Sequence, residues 1–542
     1  MSQAVEGNPA TSTTGTPGRL FSRESSGLVR VGSPWRMLLL NVANIGVVYI
    51  MFTYWSHPAI FPQSNLLLAI PIAAGMAIFF NLLYGMFAAI MPRTGSEYVF
   101  LSRTFHPVVG FMASFAAATS QSFWVGIGGY WIAQFVLGPM FSAYGAVSGD
   151  ATIAAIGSWA NSPDTYLLFG TVFVVLMAAL NIRGLRAYLR FQDINWVIGA
   201  VTGIVLLVIF ALATNDAFRT GFDRYAAAAG IPGYQQTLDL AAAQGMPTGF
   251  SLVDTLGIIP IIWLISWAST YMGGEVRTPA KTQLRATVGG MLLYAGIAWV
   301  LFAAITRAVP VEFNQALAWL SYNGTPPEGG AFEAYPVFML YAGVLIDSLP
   351  LFLIVAAGLV LWSYFWVPSA MLIATRAMFA WSFDRLAPEK LSEVHPRYHS
   401  PWVAVLVVAV IGEAFLVLYH YGVFKFLTPA LAYYGVFWLV SLCGVVFPYL
   451  PHTRPLLEAS PVNWRVAGIP VMAICGAVGL VYFTIGLYFM LTNSLLFLNT
   501  TEQLLTTAAQ FVIPLVLFFV VRAYRASRGV PIDAAFRELP PE

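Results

Sequence analysis

The chain has 542 residues, 59% of them hydrophobic and 9% charged, where an average soluble protein is about a quarter charged. A soluble fold of this length has too little interior to hide that much apolar surface, so the composition excludes a soluble enzyme or a nucleic-acid-binding protein and points to a polytopic, all-α membrane protein. Net charge is +2, with 23 Arg but only three Lys (Lys281, Lys390, Lys425), and both cysteines, Cys443 and Cys475, sit in apolar segments, which argues against a disulfide framework or a Cys-rich metal site.

Residues 1–32 are rich in Ser, Thr and Gly and carry Arg19, Arg23 and Arg30. They hold no apolar core of the kind a cleaved signal peptide needs, so they are expected to be a disordered cytoplasmic tail. From Trp35 onward there are twelve apolar segments, at 36–57, 66–91, 107–138, 164–182, 191–213, 253–274, 286–308, 347–380, 402–420, 426–450, 467–491 and 505–524. Each is near the ~20 residues a helix needs to cross ~30 Å of hydrocarbon. The fourth and fifth are joined by a basic turn with Arg183, Arg186 and Arg190, and the eighth is long enough to project into water.

Loops rich in Lys and Arg stay cytoplasmic. With the amino terminus inside, only Arg219, Arg224, Arg307 and Lys425 fall outside, against 22 of the 26 basic residues within. Both termini are therefore expected in the cytoplasm, with a second tail over 525–542. Two exterior connections are long: 214–252, partly helical between Tyr234 and Thr248, and 309–346, with Pro310, Pro326, Pro327 and Pro336. They are either a cap over an entrance or surface decoration.

Polar groups at membrane depth are expensive, so each is a candidate for function or for helix packing. The first segment holds Asn41, Asn44 and Gly46 in its middle; the alternative to a binding role is glue, with Asn bonded to a neighbouring backbone. The sixth contains Pro260, Ser266, Ser269 and Thr270 and ends in Gly273-Gly274-Glu275. Lipid offers no hydrogen bonds, so a helix that breaks there does so against protein or a water-filled cavity. Two weakened helices five segments apart are what a five-plus-five repeat of inverted topology produces, with half-helix ends meeting near the midplane. Trp263 and Trp267 bracket the break, and one of them is expected to line a pocket. In the third segment Gln121 and Trp124 share a helix face, beside Gly126, Gly128 and Gly129, whose small size suits close packing. The fifth, eighth, ninth and tenth segments add Asn195, Ser363, Ser369, Glu413 and Tyr433-Tyr434, and Glu413 is the one carboxylate deep within a predicted span. Glu413 is a candidate proton carrier, against the alternative of a paired group at a wet edge. Trp35, Tyr54, Trp55 and Tyr449 fit interfacial anchoring.

After the second segment the chain reads YGMFAAIMPRTGSEYVFLSRTFHP. This, with Gly274-Glu275-Val276-Arg277-Thr278-Pro279 and with RAMFAWSFDRLAPEKLSEVHPRYHSP at 376–401, resembles the amino acid permeases of the amino acid–polyamine–organocation superfamily. The three matches occur in the family's order. The resemblance implies a leucine-transporter type of fold, with ten core helices as two inverted repeats (33–213 and 253–450) and two peripheral helices (451–524). It further implies alternating access around a site built from Asn41, Asn44, Ile45, Gly46, Gln121, Trp124, Trp263, Ile265, Ser266, Trp267 and Tyr433, with Ser369 near an ion site. This sequence departs from the pattern in two places. The first break reads Asn44-Ile45-Gly46-Val47 with one glycine, and the sixth has Ile265-Ser266 where relatives carry glycine. Helix five also lacks the Lys of some sodium-independent members, which leaves proton or sodium as the coupling ion.

The function expected is a secondary transporter of an amino acid or related amine, a proton-coupled symporter or an exchanger (antiporter), in the inner cell membrane. No nucleotide-binding motif of the G-x-x-x-x-G-K-[ST] type occurs, and no cofactor or metal is called for. The alternatives are a channel or a substrate-sensing membrane protein of the same fold. A channel wants a continuous polar stripe, whereas the polar residues here cluster at mid-depth. A membrane enzyme would need converging His, Asp or Ser groups. At the cytoplasmic end, Arg36, or Arg30 in the tail, is a candidate partner for Asp384 in a gate, against solvated surface charge.

Overall fold

Proline at the first helical position and a side-chain cap just before it start many of these helices, because the amide that proline lacks would be unpaired there anyway. The first is α1 (Pro34–Ile45), capped by Ser33, which stops after 12 residues at Gly46 with φ +79°. The computed structural model of the protein describes residues 28, 30–46, 50, 54, 57–323, 337–363, 366–424, 428–496, 498–530, 532 and 536. Most of the tail expected over 1–32, part of that over 525–542, and Val47, Trp55, Lys425, Pro326, Pro327 and Pro336 lie outside the described residues.

Then come α2 (Leu66–Ile90), the short α3 (Glu97–Thr104) and α4 (Pro107–Trp131), which runs through a π-helical turn (Ile132–Leu137) into Gly138–Ser148. α5 (Pro163–Ile182) and α6 (Leu185–Leu212) follow, and after the broken segment come α7 (Pro279–Ala308), α8 (Leu349–Ser363) and α9 (Trp366–Phe383). The chain ends with α10 (Trp402–His420), α11 (Thr428–Val446), α12 (Val471–Thr492) and α13 (Thr501–Ser527). A two-stranded hairpin, Arg465–Val466 with Ile469–Pro470, precedes α12.

Among the described residues, ten helices are long and apolar enough to cross a membrane, and the protein is a multi-pass, almost wholly helical membrane protein. Of the twelve expected spans, the two that do not appear as long continuous helices are the first and the sixth. Both carry polar residues at mid-depth.

Burial shows how the helices face. In α6, Gln192, Asn195, Gly199 and Thr202 point inward, while Ile194, Val197, Val201, Ile204 and Val208 are exposed. That is the inside-out arrangement of a helix whose solvent is lipid. α4 is the central post: α5, α9, α10 and α13 all pack on it. The small residues of the third span serve this packing. A Cβ on Gly126 would lie 2.1 Å from the carbonyl oxygen of Gly412, so α4 and α10 cross backbone to backbone.

Between the spans, helices Asn215–Ala229, Tyr234–Ala243 and Val311–Asn323 pack together around Phe218, Phe222 and Phe313. Asn314 donates to the Tyr54 carbonyl at 3.0 Å and Gln315 to that of Ser64 at 3.3 Å, so this layer sits over the chain that follows α1. Tyr54 is a correction to the expected interfacial belt: it is buried, stacked on Phe302 and edge-on to Tyr341, while Trp35 and Tyr449 are exposed.

The close crossing of α4 and α10 sets a test. Gly126→Ala is expected to destabilise the detergent-solubilised protein by about 1–3 kcal/mol. An unchanged thermal midpoint would contradict the backbone contact with Gly412.

Candidate functional site

The sixth segment begins as a helix (Leu252–Ile258), tightens into a 3₁₀ turn (Ile259–Ile261), and then runs without helix from Ile262 to Trp267. Short 3₁₀ turns resume at Ala268–Tyr271 and Gly273–Glu275. Every residue from Ile258 to Glu275 except Trp263 is buried. An opened backbone in such a place leaves amides and carbonyls that must find partners elsewhere.

Side chains from five other elements supply them. Asn81, in the middle of α2, donates to the Leu264 carbonyl at 2.9 Å and accepts from the Ser266 amide at 2.7 Å. Asn41, in α1, accepts from the Ser269 amide at 2.7 Å and donates to Ser269 Oγ at 3.1 Å and the Ser266 carbonyl at 3.4 Å. Gln283, in α7, donates to the Ser269 carbonyl at 2.9 Å and accepts from Ser269 Oγ at 2.7 Å. Tyr482 of α12 donates to the carbonyls of Ile259 at 3.0 Å and Ile262 at 3.1 Å, and Tyr434 of α11 donates to that of Pro260. The break is held open by hydrogen bonds from its neighbours.

The end of α1 meets this break. α1, the Ala268–Tyr271 turn and α9 pack on one another. Asn44 donates to Ser369 Oγ at 3.2 Å, and Ser369 donates to the Trp366 carbonyl at 2.8 Å. Gly46 needs its glycine: φ is +79°, and a Cβ would come within 2.9 Å of the Trp366 indole. Two aromatic groups flank the junction. Trp263, Trp267, Tyr433, Tyr434 and Phe437 form one, with Trp267 5.4 Å from Tyr433 between ring centres. Trp124, Trp131 and Trp366 form the other. Tyr433 donates to the Ala117 carbonyl at 3.1 Å, beside Gln121. The indole N–H groups of Trp267 and Trp366 are buried and, among the described residues, have no acceptor.

The residues expected at the site thus gather, but with divided roles. Asn41 and Ser266 are spent on holding the break, Asn44 and Ser369 tie α1 to α9, and Ile265 is buried beside them. Trp263, Trp267 and Tyr433 belong to one aromatic group and Trp124 to the other, with Gln121 beside Tyr433.

Glu413 lies elsewhere, on the face of α10 that meets α5, half-buried and accepting from Thr171 at 2.6 Å. The proposed pairing of Arg36 with Asp384 is not formed. Arg36 reaches Asp193 of α6 at 2.6 Å, the nearer carboxylate, while Asp384 takes Arg103 at 3.0 Å and Tyr98 at 2.9 Å in a buried cluster. Of Arg30, it is the carbonyl that accepts from Arg277, at 3.4 Å.

At this same end of the bundle Arg376 and Glu275 make a two-armed ion pair, 2.9 and 3.2 Å, with both side chains fully buried. Glu275 also accepts, through its carbonyl, the amides of Val31 and Gly32. Thr94 bridges to Met272 and Gly32 to Val276. The segments before α1, after α2 and after the break are therefore sewn together. Asn81, Gln283, Tyr482 and Arg376 escaped the reading of the sequence. Asn81 in an apolar run was the signal for the first, and Arg376 and Glu275 stood in two separate motifs without a cue that they pair.

Comparison with known proteins agrees with these features. The model of a family described as "Amino acid permease" matches residues 33–531. The chain is 22% identical over 318 residues to the serine/threonine exchanger SteT of Bacillus subtilis, covering 58% of this chain and 60% of that one. It is 23% identical over 356 residues to the branched-chain amino acid permease BcaP of Lactococcus lactis, 64% and 67% of the two chains. A third relative, an uncharacterized transporter of Rhizobium meliloti, is 25% identical over 256 residues, 46% of each chain. The chain thus spans about three fifths of the length of the exchanger it matches.

Removing Asn81 should leave the Leu264 carbonyl and the Ser266 amide unpaired, at about 1–3 kcal/mol each. Asn81→Ala is expected to lower the thermal midpoint far more than Thr119→Ala, whose hydroxyl bonds only within its own helix. Equal effects would contradict the clamp.

Proposed function

The chain belongs to the amino acid permease family, and on that premise we propose that it is a secondary transporter moving an uncharged amino acid, or a related small amine, across the cell membrane. The observation that carries the reading is the meeting of two interrupted segments, α1 ending at Gly46 and the break at 262–267, in the buried middle of a bundle of apolar helices. Backbone opens at membrane depth only where protein or a cavity receives it, and such paired breaks are where transporters hold substrate. The relatives' names, a serine/threonine exchanger and a branched-chain permease, point the same way.

On this reading residues 33–213 and 253–450 are the two inverted repeats, and 451–524 supplies two peripheral helices. The first and sixth segments count among twelve spans in spite of their breaks. Both termini lie in the cytoplasm, since that orientation leaves only Arg219, Arg224, Arg307 and Lys425 outside. Access alternates as the two breaks rock between the faces, and the motion is driven by an ion gradient or by exchange.

The walls set the substrate's chemistry. Asn41 to Gly46, Gln121, Trp124, Trp263 to Trp267 and Tyr433 include no ionised side chain. A charged substrate side chain would be buried there without a partner, at high cost. The indole donors of Trp267 and Trp366 are suited to accept-only groups such as a carboxylate.

Uptake of serine, threonine, leucine and phenylalanine, against lysine and glutamate, in proteoliposomes tests the proposal. Saturable counterflow of at least one of the four neutral amino acids is expected. Trp267→Phe, which removes one donor to a charged group worth about 1.5–3 kcal/mol, should weaken half-saturation roughly tenfold or more. Transport of lysine or glutamate alone, or no counterflow at all, would contradict the reading.

A further inference from the structure

Among the described residues, the most deeply buried carboxyl that no ion pair accounts for lies between the spans, at the start of α3 where it leaves the loop from α2. Its geometry begins with the backbone. Gly95 has φ +113°, and Ser96, a non-glycine, sits in the left-handed region at φ +46°. Such strain persists where the surroundings fix it. Here the Gly95 amide donates to the Tyr271 carbonyl at 3.3 Å, Ser96 Oγ meets Thr270 Oγ1 at 2.6 Å, and Thr94 bridges to Met272. The turn is thus fastened to the last part of the broken segment, and it drives Glu97 inward, to no exposure at all.

The groups around the Glu97 carboxyl come from several elements. Tyr84 approaches from α2, Tyr271 from the broken segment, and Ser96 from the loop, with Tyr433 of α11 close behind. Cys443 of α11 stands next to Tyr84. Among the described residues, the Glu97 carboxyl oxygens and the hydroxyls of Tyr84 and Tyr271 are buried close together without a well-formed hydrogen bond. Among the described residues Glu97 forms no ion pair: Arg103 is bound to Asp384, with Tyr98 on the same oxygen, and Arg376 is bound to Glu275. Burial pushes the Glu97 carboxyl up and the neighbouring hydroxyls pull it partly back, which leaves it raised from the usual 4.5 to about 7.

We propose that Glu97 is the proton-binding site that couples transport to a proton gradient, holding a proton while the Thr94–Glu97 loop is closed on Thr270–Met272 and releasing it when the two part. This rests on the transport reading above. The step is a simple acid dissociation: the carboxyl O–H breaks, its proton passes to water admitted by the opening, and the carboxylate is then solvated. Reprotonation follows closure, from the side of the membrane to which the substrate site is then open, so that the proton is taken up on one side and released on the other. Tyr84, Tyr271 and Tyr433 stand near Glu97, and Tyr433 belongs to the aromatic group around Trp267. The sign follows from the raised value. A closed state that holds its proton more tightly than the open one is favoured most at low pH, and the advantage is lost as pH rises through about 7. Glu413, on the α5 face with its Thr171 partner, is not part of this cluster.

Proteoliposomes of wild type, Glu97→Gln and Tyr271→Phe provide the test, with two transport readouts and one spectroscopic one. Counterflow at equal pH on both sides reports transport itself. Net uptake into vesicles with acid outside reports coupling, and the infrared band of a protonated buried carboxyl reports the site directly. The wild type should show several-fold stimulation by the proton gradient, abolished by a protonophore, and a carboxyl band that fades as pH is raised through about 7. Glu97→Gln should keep counterflow, lose the stimulation and lack the band. Tyr271→Phe, which removes a hydroxyl that favours the ionised form, should move the fading of the band to higher pH. Glu97→Gln with counterflow and gradient stimulation both intact would overturn the proposal, as would a band unchanged by that substitution or a midpoint unmoved in Tyr271→Phe. Loss of counterflow in the wild type would instead sink the transport reading, while the infrared band would still decide whether Glu97 binds the proton.

Discussion

The structure depends on one obligation. Six residues of non-helical backbone, 262–267, lie buried among membrane-spanning helices, and their peptide groups cannot turn to lipid. Asn41, Asn81, Gln283, Tyr434 and Tyr482 answer them from α1, α2, α7, α11 and α12. Each amide side chain carries both a donor and an acceptor, so Asn81 and Asn41 each satisfy an N–H and a C=O at once. This explains how the segment dispenses with glycine at Ile265-Ser266. The opening is stabilised by what surrounds it, and local backbone freedom is not required. It also explains why the helices that hold the clamp gather around this one segment.

A second constraint operates at the end of the bundle where the basic loops meet. The Arg376–Glu275 and Arg103–Asp384 pairs are withdrawn from solvent, with side-chain exposures of 0% and 1% in the first and 5% and 1% in the second. Buried pairs of this kind add little net stability, but losing one partner costs roughly 3–5 kcal/mol. They are therefore suited to marking one closed arrangement and resisting any other. The strand-like contacts of Gly32 with Val276 and Thr94 with Met272 join the same seam. Opening it means separating the start of α1, the loop before α3 and the end of the broken segment together, and that separation is also what would let water reach Glu97.

The helical membrane class and the two interrupted segments were legible from the chain, because length, apolarity and the mid-depth residues Asn41, Asn44, Gly46 and Ser266 are one-dimensional signals. The loop motif around Gly95-Ser96-Glu97 was legible as a resemblance. Partnerships were not. Asn41 bonds across 228 positions to Ser269, and Arg376 across 101 to Glu275. Nothing local to either residue names the other. Glu413 drew attention because it sits within an apolar run, yet burial depends on which face of a helix is covered, and its face meets α5 and not the break. Glu97 passed unnoticed because it starts the short α3 between the spans, where burial is the exception. Arg36 found Asp193 because α1 runs past α6, a neighbourhood that spacing along the chain does not disclose.

The central claim is that the clamped break is where substrate is held, and a cysteine placed in it tests this directly. Cys443 and Cys475 are both buried, so a reporter at Ile265→Cys can be followed against a low background. Labelling by a small maleimide during turnover should be slowed by the amino acid that the protein transports, and left unchanged by one that it does not. Labelling indifferent to a transported amino acid would place the substrate elsewhere and contradict the account.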